Sequence, residues 1–441
     1  MARRALIVGA GLGGSLLAVY LARAGWNVLV VERRGDPRDK NFVGGRSINL
    51  AISARGIHAL ERAGLAKTLL EHGIRMPGRM IHPIAGMPVF QAYSSDPGRA
   101  INSVSRSGLN LLLINAAAAE SNVEMRFDST CLEVDFATPT ALFRRNDGST
   151  ERIDADLIVG ADGAYSSVRG AMQKIERFEF SQNYLSHGYK ELSIPSGTSG
   201  EFQLERNALH IWPRGGSMMI ALPNPDGSFT CTLFWPFNGP GSFDAIRGDD
   251  VVRQHFARYY ADALPHMPTL LEDFRTNPVG SMVTIRCAPW HLNGNVVLVG
   301  DAAHAVVPFY GQGANASFED CEALVDALVA HPNDQRAALD SYQAVRIENA
   351  NAIADMALEN FVEMRDKTAS RAFRAKKKIE HALHAALGSS YLPLYDMISF
   401  TTIPYAQARE RSRRQQRFVI AAAAIIGVAI VGLASLLLAR D

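Results

Sequence analysis

The chain has 441 residues, of which 47% are hydrophobic and 20% charged, a composition that buries a full core and excludes a disordered or fibrous protein. Its 45 Lys and Arg nearly balance 44 Asp and Glu, for a formal net charge of +1, so no global electrostatic case exists for a nucleic-acid partner. Cys131, Cys231, Cys287 and Cys321 lie far apart with no C-x-x-C pair; this excludes a zinc module and a disulfide scaffold and predicts free core thiols and no metal.

In chain order, Arg3 and Arg4 before an apolar, small-residue stretch imitate a secretory signal. Inside that stretch, however, Ala5-Leu6-Ile7-Val8 leads into Gly9-Ala10-Gly11-Leu12-Gly13-Gly14, and the next apolar run, Val28-Leu29-Val30-Val31, would lose its partner on cleavage. The expectation is a retained first strand followed by a dinucleotide fingerprint: Gly9 makes the tight turn, Gly11 lets backbone approach a pyrophosphate, and Gly14 lets the helix pack on the sheet. Glu32, at the end of the second strand, suits the ribose hydroxyls of an adenosine. Taken alone, this pattern fits FAD or NAD.

Two later apolar runs end in the same manner. Residues 157–159 precede Gly160-Ala161-Asp162-Gly163, with Arg169 shortly after, and residues 296–299 precede Gly300-Asp301. Ligands of open α/β sheets lie beyond the carboxyl ends of strands, so three such turns converge on one ligand. Asp301 can bind a ribityl hydroxyl, and Gly311-Gln312-Gly313-Ala314-Asn315 opens a helix whose N–H groups and positive end suit the electron-rich edge of an isoalloxazine; these features select FAD. The wide spacing predicts an α/β fold in which a Rossmann-like FAD-binding domain (1–178 and 291–350) is interrupted by a mainly antiparallel β-sheet substrate domain (179–290), where aromatic, β-prone stretches alternate with Pro/Gly turns. A helical C-terminal region follows (351–417). Residues 418–439 are uncharged, long enough for one transmembrane helix, and flanked by Arg409, Arg411, Arg413, Arg414 and Arg417. The expectation is a membrane tail anchor with the body on the cytoplasmic side, at an outer mitochondrial or a bacterial inner membrane.

The fingerprint, the Asp162-Gly163 turn and the Asp301 strand end together resemble the FAD-dependent aromatic hydroxylases, single-component flavin monooxygenases of the para-hydroxybenzoate hydroxylase type. Further stretches, among them Arg46-Ser47-Ile48-Asn49-Leu50, His187-Gly188-Tyr189-Lys190, Pro308-Phe309-Tyr310-Gly311 and Glu359-Asn360-Phe361, are similar to the kynurenine 3-monooxygenases within that group, over about residues 3 to 405. The chain departs from them at Ala314, where Met is usual, and at Ser317, where Gly is frequent.

The resemblance implies hydroxylation of L-kynurenine to 3-hydroxy-L-kynurenine with O2, tightly bound FAD and NADPH as a transient co-substrate. No protein residue is expected to act as a catalytic group, because the ring amino group already activates the ring. For the substrate it implies Arg79 and Tyr93 as a carboxylate clamp, Asn360 and Tyr395 as further polar contacts, and Phe309 and Tyr310 beside the ring. For FAD it adds Gly13 in the first turn, Val31, Arg33 and Arg34 around Glu32, and Ala51. Arg106 is implied as the cation for the pyrophosphate; Cys131, Ser167, Ala314 and Asn315 complete the set. Two rivals stay open at this point: a membrane-tethered flavin hydroxylase or epoxidase of a lipophilic substrate, which would lack the clamp, and a non-catalytic interaction protein keeping a nucleotide fold.

Overall fold

The computed structural model describes residues 3–40, 49–367 and 371–438, without the side chains at 367, 371–374, 376, 381 and 422–438; residues 46–48 of one of the stretches named above lie outside the described residues. The strand Arg4–Val8 sits inside a six-stranded sheet, paired in parallel with Asn27–Val31 on one side and Leu157–Gly160 on the other. Val296–Leu298 extends it in parallel beyond Leu157–Gly160. These strands are unbroken Val/Ile/Leu runs because both faces are covered. The helix Leu12–Arg23 covers one face and is buried continuously from Gly14 to Ala22, as a helix apolar on all sides must be.

A seven-stranded sheet forms the second layer, in the order Gly280–Ala288, Glu179–Ile194, Phe229–Pro236, Met218–Pro223, Ala208–Pro213, Gly78–Ile81, Val89–Ala92. All neighbours are antiparallel except Ala208–Pro213 and Gly78–Ile81, which run parallel. One group of its side chains packs Trp212 and Trp235 with Val252, Phe256 and Leu270 from the helices Asp249–Tyr259 and Leu270–Thr276. Another packs Ile211, Met218 and Phe234 with Phe309 and Phe361. The last two strands come from well before residue 179, and they carry Arg79 into this sheet.

A buried chain of ion pairs ties the C-terminal segments to the nucleotide-binding sheet. His304 Nε2 meets Asp320 at 2.5 Å, Arg346 bonds Asp320 at 2.6 Å and Glu319 at 3.1 Å, and Arg55 bonds Glu319 at 2.5 Å. Arg55 also donates to Ile398 O at 2.8 Å and Met397 O at 3.2 Å and lies over the Tyr405 ring. Groups this deeply buried persist only with such pairing. All four cysteines are buried and free.

The expected transmembrane helix is corrected: no helix among the described residues is long and apolar enough to cross a membrane. The sequence argument treated the uncharged run and its Arg-rich flank as an anchor apart from the body, but the helix that contains both begins at Tyr405, ahead of the flank. Its first turns dock on the body, with Tyr405 and Ala408 fully buried and Arg409 paired to Asp355 at 2.5 Å and Glu359 at 2.8 Å. The side chains from 422 onward, most of the expected span, lie outside the described residues.

Candidate active site

The three strand-end turns lie side by side. Gly9 N donates to Val31 O, Ala161 N to Val8 O and Val299 N to Gly160 O, at 2.8, 2.9 and 3.0 Å. Gly9 has φ +107°, and a Cβ there would lie 2.6 Å from Ala161 O; at Gly14 a Cβ would collide with Gly9 O. The turn therefore admits only glycine at both positions. Gly11 is different, since a Cβ there would meet nothing within 4 Å.

Around that open space the helix Leu12–Arg23 starts without a side-chain cap or an acid in its first turn. The helix Gly313–Ala330 starts in the same way. Both leave N–H groups and a positive dipole end for an anionic or electron-rich ligand. Asp162 Oδ2 accepts from Ser167 N at 2.6 Å, while its Oδ1 is buried without a partner, and burial raises its carboxyl above the usual carboxylate range. Asp301 is exposed yet surrounded by protein that raises its carboxyl, with Arg106 and His304 pulling the other way; this is the situation of a side chain on the floor of a cleft. The open backbone at Gly11, the two uncapped helix starts and the orphaned Asp162 oxygen fit a flavin dinucleotide.

The remaining expected cofactor residues fall into place unevenly. Glu32, 6% exposed, accepts from Ala10 N at 2.9 Å and from Arg34 N and Nε at 3.0 and 2.9 Å, so it shapes the turn; Arg33 and Arg34 are exposed beside it. Gly163 has φ +83° in the second turn. Arg169 bonds Ala164 O at 2.6 Å and Ala302 O at 2.8 Å, stapling the second turn to the third. Gly13 faces Ser317, one of the two departures noted in the sequence. Asn315 fills all four hydrogen-bonding positions with protein, to Ser53 N, Gly56 N, Ala51 O and Gly311 O. It clasps Ala51 to the Gly311 turn, which leaves only its backbone, and that of Ala314, for a ligand. Arg106 opens the helix Arg106–Ala119. Cys131 lies near enough to Asp162 for their charges to interact, and burial pushes its thiol up to about 12.

The expected substrate residues gather around one cavity, lined by Arg79, Tyr93, Tyr310, Asn360 and Tyr395. Arg79, 8% exposed, donates Nε to Gln91 Oε1 at 2.8 Å across the strand pair; its Nη groups have no partner among the described residues. The Tyr93 hydroxyl is buried and unpartnered. Tyr93 and Tyr395 stack at 4.7 Å, and Tyr395 and Tyr310 at 5.9 Å. Burial pushes the Tyr395 phenol up to about 12 and the Tyr93 phenol well above its usual value, while the Arg79 charge acts downward on both. Asn360 Nδ2 donates to Phe309 O at 2.7 Å. Phe309 itself turns away, stacked on Phe361 at 4.2 Å, so Tyr310 alone of that pair lines the cavity.

The sequence reading missed Gln91, Met356, Glu359, Glu363, Lys377 and Glu380, which also line the cavity. Helical spacing offered a signal for three of them, because Met356 and Glu363 share a face with Asn360 and Glu359 adjoins it. The cavity thus combines the Arg79 guanidinium, the carboxylates of Glu359, Glu363 and Glu380, the last paired with Lys377 at 3.0 Å, and the rings of Tyr93, Tyr310 and Tyr395. That arrangement complements a zwitterionic amino acid carrying a flat apolar group. His304 stands apart from this cavity, committed to Asp320 and stacked on Trp290 at 5.0 Å. No metal-binding cluster occurs among the described residues.

Residues 3–357 match the family described as FAD binding domain. The chain is 46% identical over 425 residues to a kynurenine 3-monooxygenase of Dictyostelium discoideum, covering 94% of this chain and 91% of that one. It is 47% identical over 404 residues to one of Myxococcus xanthus, covering 91% and 87%. Among solved structures, 2-methyl-3-hydroxypyridine-5-carboxylic acid oxygenase superposes with a TM-score of 0.69 at 21% identity, over 87% of this chain and 96% of the other. P. aeruginosa PqsL in complex with 2-aminobenzoylacetate gives 0.67 at 23%, over 83% and 97%. At those identities the two structures speak for the fold.

Proposed function

We propose, because the chain belongs to the kynurenine 3-monooxygenase family of FAD-binding proteins, that it hydroxylates L-kynurenine to 3-hydroxy-L-kynurenine. The balance is one NADPH, one proton and one O2 consumed per hydroxyl group transferred, with NADP+ and water released. FAD, when bound, takes the hydride from NADPH and activates O2, which is the hard part of the chemistry. The chain's own residues bind, orient and exclude water.

The pyrophosphate is held by the Gly9–Gly14 turn and the start of the helix Leu12–Arg23, with Arg106 as the counter-cation. Asp301 takes the ribityl chain, and the backbone at Ala314 and Asn315 faces the ring. On the substrate side Arg79 makes a bidentate, charge-assisted pair with the amino-acid carboxylate and the Tyr93 hydroxyl adds a third donor. Glu359 and Glu363 suit the α-ammonium, and Tyr310 and Tyr395 flank the aminophenyl ketone. The turn carrying Tyr310 runs directly into Gly311 and the clasp at Asn315, so the substrate cavity and the flavin cleft share one segment. The ring amino group supplies the activation that a phenol substrate would need from a base. The chain carries one dinucleotide fingerprint, so NADPH docks transiently.

The observation that carries this reading is the buried Arg79, with its Nη groups unpartnered among the described residues, beside the orphaned Tyr93 hydroxyl. Titrating the FAD-loaded protein with L-kynurenine, followed by flavin absorbance, should give a saturable change. The change should need higher concentrations of 2-aminoacetophenone, which keeps the aminophenyl ketone and lacks the amino-acid group. Equal affinities would point to a lipophilic substrate that makes no use of the cation.

A further inference from the structure

The two stacked tyrosines of the cavity are each followed by a residue that reaches across to the other segment. Ser94, next to Tyr93, donates its hydroxyl to Asp396, next to Tyr395, at 2.5 Å. Arg99 Nη1 bonds the same carboxylate oxygen at 2.9 Å. Asp396 is 0% exposed and Ser94 5%, so the contact is desolvated and strong for its size. It is also isolated in purpose: Ser94 and Arg99 lie on the segment after the edge strand Val89–Ala92, Asp396 lies in the helix Leu394–Ser399, and the two segments are about three hundred residues apart in the chain. Arg55 fixes the far end of that helix through Met397 O and Ile398 O, and the Asp396 contact ties its first turn, which carries Tyr395, to the segment that carries Tyr93.

We infer that Asp396 is a positioning residue for substrate recognition: through Ser94 and Arg99 it fixes the spacing of Tyr93 and Tyr395 beside Arg79, and so the gap that admits an amino-acid carboxylate. This rests on the reading of the cavity as the kynurenine site. A clamp misplaced by an ångström costs up to about a hundredfold, while an analogue that meets Tyr395 but not the Arg79 and Tyr93 donors loses less.

The test compares Asp396→Asn and Arg99→Met with the parent holoenzyme, measuring dissociation constants for L-kynurenine and 2-aminoacetophenone by flavin absorbance, together with flavin content. The expected result is a kynurenine affinity about ten- to a hundredfold weaker in both variants, with unchanged flavin content, a clearly smaller loss for 2-aminoacetophenone, which meets Tyr395 but not the clamp, and recovery toward the parent value in Arg99→Lys. Should Asp396→Asn fail to fold, Ser94→Ala carries the same expectation on the other side of the contact. Unchanged kynurenine affinity, or an equal loss for both ligands, would overturn the inference and make the contact a fold contact only. A parent protein that binds 2-aminoacetophenone but not kynurenine would instead overturn the substrate assignment, and the positioning role with it.

Discussion

A guanidinium that is 8% exposed, with one N–H bonded to Gln91 and its Nη groups unpartnered among the described residues, is costly to bury without an anion opposite it. Arg79→Ala should therefore keep its flavin colour and lose ~2–5 kcal/mol of kynurenine affinity, the range seen when one partner of a buried charge pair is truncated; an unchanged dissociation constant would remove Arg79 from the clamp. His255 offers a test of a different kind. Burial against Trp235, helped by Arg258, pushes its imidazole down to about 4 from 6.5. The unfolded chain thus takes up this proton at a higher pH than the folded one, and the associated stability, complete above pH 6.5, drains away as pH falls toward 4. His255→Phe should flatten the fall in melting temperature over that window, and an unaltered slope would assign the acid sensitivity elsewhere. Single residues were legible in the sequence where chemistry dictates type, as at Gly9 and Gly14, whereas Arg79 was singled out only by the family resemblance. They were not where packing decides, as at Phe309, which points to Phe361 rather than into the cavity.

At the scale of elements, the glycine turn separates two effects that are usually confounded. A Cβ at Gly14 collides with backbone, whereas a Cβ at Gly11 meets only open space. Gly14→Ala should destabilise the flavin-free protein by ~1–3 kcal/mol, read as a lower melting temperature. Gly11→Ala should melt like the parent when flavin-free but bind FAD more weakly, since the methyl occupies the ligand's approach. Equal effects on flavin-free stability would contradict the assignment of Gly11 to the ligand. The three strand ends could be read from the sequence because each apolar run stops in a turn of fixed chemistry. The strand Gly78–Ile81 could not, because its parallel partner Ala208–Pro213 is far away in the chain and nothing local encodes that pairing. The same holds for the Asn315 clasp: the resemblance implied a cofactor contact there, and the folded chain uses the side chain to bind its own turns.

For the whole molecule, what holds the C-terminal segments is the buried Arg55, Glu319, Asp320 and Arg346 chain together with Asp396, none of which shows as a pattern in the sequence. The helix from Tyr405 is docked through Ser412, which is buried, while Phe418 and Ile420 are 71% and 69% exposed. Removing the residues after Arg417 should leave a folded, flavin-loaded protein with kynurenine affinity unchanged; loss of flavin would mean that the outer turns of this helix belong to the body. The uncharged run at 418–439 illustrates the limit of composition, which reports how apolar a segment is but not the element to which it belongs.

The central claim joins cofactor, substrate and reaction, and one measurement addresses all three: NADPH oxidation by the purified holoenzyme with and without L-kynurenine, with the products separated by chromatography. Oxidation stimulated by kynurenine and yielding 3-hydroxykynurenine is the predicted result. A yellow protein whose NADPH oxidation ignores kynurenine, or that forms no hydroxylated product, would contradict it.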